Sequence, residues 1–122
     1  MITNPLMMWL DTSVADKQVL NFIDRIHNPD KYPVIMNDDG SWSTHRMAAE
    51  VDETGNWMVF PTIVQLPDGE LFEFQDPYSA MEYARNTGEF VQMKDRKEAL
   101  NYAKGGYKKG TPLETFNPFA GK

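Results

Sequence analysis

Four groups of residues carry side chains that could do chemistry, and each points to a different reaction. His27 and His45 are the two imidazoles of a 122-residue chain. A metal site needs three or four convergent ligands, and the sequence places no third ligand beside either histidine. No metal site and no cofactor is therefore expected. Ser41, Ser43 and Thr44 run up to His45, which sets nucleophile types beside a base. On a strand, neighbouring side chains point to opposite faces, so Ser43 and His45 share a face while no acid partner or oxyanion hole is marked. Glu50, Asp52, Glu53 and Glu73 could supply the carboxylate pair of a glycoside hydrolase. Acidic residues beside a hairpin loop read instead as solvated turns. Gly105-Gly106-Tyr107-Lys108-Lys109-Gly110 mixes glycine with lysine but lacks the spacing of a phosphate loop. It reads as a helix stop and a basic turn, with Lys108 and Lys109 as candidates for an anion contact. No catalytic residue is assigned, and the chain is expected not to be an enzyme.

Composition narrows the classes further. At 122 residues the chain is one domain's worth, with 41% hydrophobic and 25% charged residues, as in an ordinary globular protein. Eighteen acidic against twelve basic residues give a net charge of −6. That balance disfavours a phosphate backbone as partner, because such binding needs clustered Lys and Arg. The one basic cluster, Lys104, Lys108 and Lys109, is small. Without cysteine there are no disulfides, thiolate metal sites or Cys nucleophile. The apolar run Leu6–Leu10 is too short for a signal peptide or a membrane span, so no span is expected.

The elements that must position these groups follow from periodicity and punctuation. Residues 1–10 read as an apolar arm, 11–110 as one α+β domain and 111–122 as a second arm. Residues 12–27 read as a helix capped by Thr12 or Ser13, with Val19, Leu20, Phe22, Ile23 and Ile26 on its apolar face. Strands are expected over 32–37, 41–51, 57–66 and 70–74, separated by turn signals ending in Gly40, Gly55 and Gly69. Pro61 inside the third predicts an edge position or a bulge. A further short strand is read over Phe90–Met93. The alternation of Phe72 and Phe74 with Leu71, Glu73 and Gln75 predicts a sheet covered by helices on one face. The fold class is thus α+β: an antiparallel sheet of three to five strands, about three helices, and extended arms. Met7, Met8, Trp9 and Leu10 in one arm, with Phe116 and Phe119 in the other, are the expected partner-binding residues.

Two helices near the C-terminus repeat each other. Asp76, Ala80, Met81, Tyr83, Ala84 and Arg85 match Asp95, Ala99, Leu100, Tyr102, Ala103 and Lys104 at a constant offset. The matched positions are a cap, small packing residues and aromatic anchors. Asp76-Pro77 opens the first helix and Gly88 stops it. Asp95 with Glu98 opens the second as a variant capping box, and Gly105-Gly106 ends it.

Asp39-Gly40-Ser41-Trp42-Ser43-Thr44-His45-Arg46-Met47 is followed in order by Phe60-Pro61-Thr62-Ile63-Val64, Asp76-Pro77, Gly88-Glu89 and Gly105-Gly106-Tyr107-Lys108. This order of motifs resembles a small module of virion structural proteins in tailed bacteriophages. The resemblance covers roughly residues 38–112. In that family the module stands alone or beside peptidoglycan-cleaving domains, and it supplies no catalytic residue to carry over. The resemblance implies a non-enzymatic virion protein of the tail, neck or internal ejection apparatus, made in the host cytoplasm. Its partners would be other virion proteins, including copies of itself in a ring or shell. Two rival expectations are an accessory cell-wall-binding module of a lytic enzyme, with glycan in an aromatic groove around Trp42 and Trp57, and a small phage regulator of a host protein.

Overall fold

The structure is a computed structural model and describes residues 20–119. Within them the elements run α1 (Asn21–His27), β1 (Ile35–Met36), β2 (Trp42–Ser43), β3 (Met47–Val51), β4 (Trp57–Pro61), β5 (Ile63–Gln65), β6 (Leu71–Glu73), α2 (Pro77–Thr87), β7 (Val91–Met93) and α3 (Arg96–Lys104). Short 3-10 turns cover Pro29–Lys31, Gly106–Lys108 and Pro112–Thr115. The class is α+β, with the strands divided among three small antiparallel sheets, β1-β2, β3-β4-β7 and β5-β6. No helix among the described residues is long and apolar enough to cross a membrane.

The three hairpins close by the same local chemistry. An aspartate accepts the N–H two residues on: Asp39 from Ser41, Asp52 from Thr54 and Asp68 from Glu70. A glycine with φ near +90° then completes each turn. Asp52, weighed above as a catalytic carboxylate, also takes the N–H of Asn56, so it is a turn residue.

The expected strands over 41–51 and 57–66 are each broken. In the first, Thr44, His45 and Arg46 leave the ladder, and the Thr44 carbonyl goes to the Arg25 guanidinium instead of a strand partner. In the second, Thr62 changes partners: its N–H bonds the Arg46 carbonyl, while its carbonyl takes the N–H of Phe74. Pairing thereby passes from β3 to β6. By strand alternation the nitrogen of Pro61 faces the β7 side, where pairing has already ended at Val59. The proline therefore sits at a local edge, as its missing donor requires.

Helices cover β4 on both faces, which corrects the one-sided sheet expected from β6. Met58 and Phe60 pack against Ala80, Met81 and Ala84 of α2, with Ala48, Phe74 and Phe90 around them. On the alternate face the Arg96 guanidinium of α3 lies over the Trp57 ring, 5.9 Å from its centroid. Met58 to Pro61 are consequently buried without a break. A strand buried on both faces reads as a continuous apolar run, and Met58-Val59-Phe60-Pro61 is one.

The helical repeat is a repeat of fold parts placed in these two layers. Asp76 accepts the Tyr78 N–H and Asp95 the Glu98 N–H. Ala80 and Ala99 are both fully buried, and a side chain this small lets a helix approach a strand closely. Depth separates the two: Met81 is buried while its match Leu100 is exposed. Tyr83 packs on Phe74 and Tyr102 on Tyr107, and both tyrosines stay half-buried.

The helix expected over 12–27 is present as α1 from Asn21; its positions 12–19 and its caps Thr12 and Ser13 lie outside the described residues. Leu20 is extended, so α1 starts after it. The C-terminal segment departs from a fully extended arm, since Pro112–Thr115 is a 3-10 turn.

Candidate functional site

Two neighbouring features fasten the ends of the described chain to the core. The first is a polar latch on α1. This helix has seven residues, too few to persist alone, and Leu20 offers no side-chain cap. The Glu89 carboxylate supplies the cap from across the fold, accepting the N–H groups of Asn21 and Phe22 at 2.9 Å each. Asn21 donates through its amide to Gln65 of β5 at 2.8 Å. One turn on, Arg25 is almost fully buried. Its guanidinium donates to Asn21 Oδ1, the Thr44 carbonyl and the Ile63 carbonyl at 2.9, 3.1 and 2.8 Å. Burial pulls the Arg25 pKa down to about 10, with the Glu89 charge acting the other way. The side chain therefore stays cationic at neutral pH. A cleft of about 330 Å³ opens beside the latch, lined among others by Asn21, Arg25, Gln65 and Glu89.

The second feature is an aromatic seat for the C-terminal segment. Phe22 of α1 stacks on His45 at 6.1 Å, Tyr107 meets His45 edge-on at 5.0 Å, and Tyr102 of α3 meets Tyr107 at 6.1 Å. The Tyr107 hydroxyl donates to the His45 carbonyl at 3.4 Å. Farther along, the Phe119 ring stands edge-on to Trp42 of β2 at 5.4 Å. Two clefts of about 190 and 400 Å³ flank the segment, and Phe116 lines both.

His45 is the base of this seat and is closed to acid–base work. It is 8% exposed, and its Nδ1 is buried without a hydrogen-bond partner. Its Nε2 lies 2.9 Å from the Met47 sulfur. Burial first, and the Arg25 charge second, push its pKa down to about 3. The ring is thus neutral. Ser43, which shares its predicted strand face, accepts from the Asn37 amide. The expectation that His45 lies on a strand is corrected: it occupies the break between β2 and β3, where its ring turns inward.

The other predicted residues fall as follows. His27 is exposed on the last turn of α1. Glu53 pairs with Arg85 at 3.0 Å and Glu73 with Arg46 at 2.7 Å. Among the described residues no three His, Asp or Glu gather as metal ligands. Lys108 and Lys109 are exposed at the 3-10 turn, and Lys108 lines the smaller of the two flanking clefts. Phe116 is half-buried and Phe119 is 49% exposed. Met7, Met8, Trp9 and Leu10 lie outside the described residues. Trp42 and Trp57 belong to different sheets, one ring met by Phe119 and the other covered by Arg96.

Sequence reasoning missed Arg25 and Glu89. Arg25 had a signal, since it lies three residues after Phe22, as Ile26 lies four after it, which sets all three on one helical face. A cation on an apolar stripe asks for acceptors. Glu89 had none, because its partners lie 67 and 68 residues away.

Comparison with protein-family models, with curated proteins and with solved structures gave no match for this chain.

Proposed function

We infer that this chain is a non-enzymatic structural protein of a tailed-bacteriophage virion, placed in the tail, neck or internal ejection apparatus. It acts by contact with other virion proteins, copies of itself in a ring or shell among them. The observation that carries the reading is the ordered set of motifs over residues 38–112, together with the use the fold makes of them. Asp39 and Gly40 form a turn, Phe60 and Ile63 fill the core, and Asp76 caps a helix. Gly105 ends another helix and Tyr107 joins the aromatic seat. Of the side chains weighed for catalysis, Asp52 is held in a turn, Glu53 and Glu73 in ion pairs and His45 in the core. Such a chain offers surfaces more readily than reactive groups, and its C-terminal segment carries apolar side chains that the domain covers only in part.

The test is quantitative mass spectrometry of purified particles from the source phage. A reproducible ratio of this chain to the major capsid protein is the expected result, and the ratio gives its copy number. Absence from particles with abundance in infected cells overturns the reading and favours the regulator.

A further inference from the structure

We propose that residues 111–119 exchange between copies of this chain, each copy seating its C-terminal segment on the Trp42–His45 surface of another. The proposal rests on the self-association named above and gives it a mechanism. The seat fits this sequence, because the segment already occupies it within one chain. Phe119 meets Trp42, Phe116 stands between two clefts, and Leu113 reaches a small cavity lined by Arg25 and His45. The same contacts made between two chains have the same chemistry, so each copy both gives and receives a segment.

Three features make the segment transferable. First, its hydrogen bonds are local. Among the described residues, those of 109–119 run to Gly106, Lys108, Thr111, Leu113, Glu114 and Asn117. None ties the segment to a strand or helix of the core, so exchange disturbs only those at the Gly110 hinge, from Thr111 to Lys108 and from Gly110 to Glu114. By contrast, Phe119 meets Trp42 ring to ring and Leu113 lines the cavity beside His45, side-chain contacts that re-form equally well from a second copy. Second, the segment folds back at a hinge. Gly110 has φ +72°, a conformation that a residue with a side chain rarely adopts, and nothing stands within 4 Å of where a Cβ would lie. A β-branched residue there would clash with no neighbour but would be strained by its own backbone, and its preference for extended backbone swings the segment away from its own domain. Third, the segment is only partly covered by its own domain. Phe119 is 49% exposed and Phe116 is half-buried between two clefts.

The experiment uses the full chain with the photoreactive analogue benzoylphenylalanine in place of Phe119. Light and heavy-isotope preparations are mixed, unfolded, refolded together at high concentration, separated by size and irradiated. Exchange predicts a dimer or larger fraction in which half the cross-links to the peptide holding Trp42 join light to heavy chains. A second arm uses Gly110→Val without the photoreactive group, which is expected to raise the exchanged fraction several-fold by light scattering. A chain that refolds only as monomer, or oligomers whose cross-links join only light to light and heavy to heavy, overturn the proposal. So does a folded Gly110→Val that stays as monomeric as the parent. These readouts concern the purified chain, so they separate from the particle measurement. A virion component with cross-links only within chains sinks the exchange alone, and exchange by a chain absent from particles sinks the virion reading alone.

Discussion

The two ends of the described chain are fastened in opposite ways. α1 is held by directional hydrogen bonds: Glu89 on its first N–H groups, Gln65 on Asn21, and two backbone carbonyls on Arg25. The C-terminal segment, residues 111–119, is held by the Phe119 ring on Trp42 and by Leu113, with its hydrogen bonds kept local. The difference has consequences. A directional bond fixes a position, and breaking it leaves a buried polar group unsatisfied. An apolar contact is tolerant of geometry and is lost in proportion to area. One end is therefore built to stay and the other to let go.

The largest expected effect tests the latch at its centre. Arg25→Ala removes the donor of the Thr44 and Ile63 carbonyls and of Asn21 Oδ1, and it is expected to lower unfolding stability by about 3 kcal/mol. Arg25→Lys is expected to recover little, because one ammonium cannot span three acceptors set in a fork. Urea denaturation measures both. A loss below about 1 kcal/mol in Arg25→Ala would erase the contrast between the ends, since the carbonyls would then find water as readily as the segment finds solvent.

Glu89→Ala comes next, with an expected loss of about 1–2 kcal/mol, the range for removing a helix cap. Hydrogen exchange locates the effect: the amides of Asn21 and Phe22 should exchange faster while those paired between β3 and β4 hold. Uniform acceleration would mean that α1 and the sheet open as one unit and that no separate latch exists.

What could be read ahead of the structure divides along the same line. The caps Asp76 and Asp95, the stop at Gly88 and the three aspartate-glycine turns each act within a few residues, so the local sequence states them fully. Gly110 and the ring-bearing tail were legible as well, as composition without a partner. The latch was not, because Glu89 caps a helix that begins 68 residues earlier. The second helical layer on β4 was half legible. Met58–Pro61 is an unbroken apolar run, but the alternation in β6 pointed to a single covered face. The breaks at Thr44–Arg46 and Thr62 arise from backbone groups changing partners, which no side-chain pattern records. His45 was visible as a candidate base, while its burial depends on Phe22 and Tyr107 arriving from opposite ends of the chain.

That convergence makes His45 a test of whether the two regions are independent. Its charged form is disfavoured in the fold, so its pKa falls from 6.5 to about 3. Between those values the unfolded chain binds a proton that the folded chain does not. The stabilising effect is therefore complete above about pH 6.5 and is lost as pH falls toward 3, at about 1.4 kcal/mol per pH unit. His45→Phe is expected to flatten this part of the stability profile in denaturation series run from pH 7 to pH 4. An unchanged slope would mean that the ring is hydrated and that the seat opens readily, which weakens the distinction between a fixed α1 and a movable tail.

The smallest expected effect bears most directly on function. Phe119→Ala deletes one edge-to-face contact with Trp42 from a residue that is half-exposed, so the domain should lose only about 0.5–1 kcal/mol. The circular dichroism spectrum should barely change, and the melting temperature should fall by only a few degrees. The Trp42 indole N–H resonance should move, because the neighbouring ring is gone. A loss of several kcal/mol would make Phe119 part of the core, and the tail would then be as fixed as α1. A silent Trp42 resonance would deny the contact itself. Between these outcomes lies the one the geometry favours: a segment attached well enough to find its seat, and weakly enough that a second copy can offer the same rings in its place.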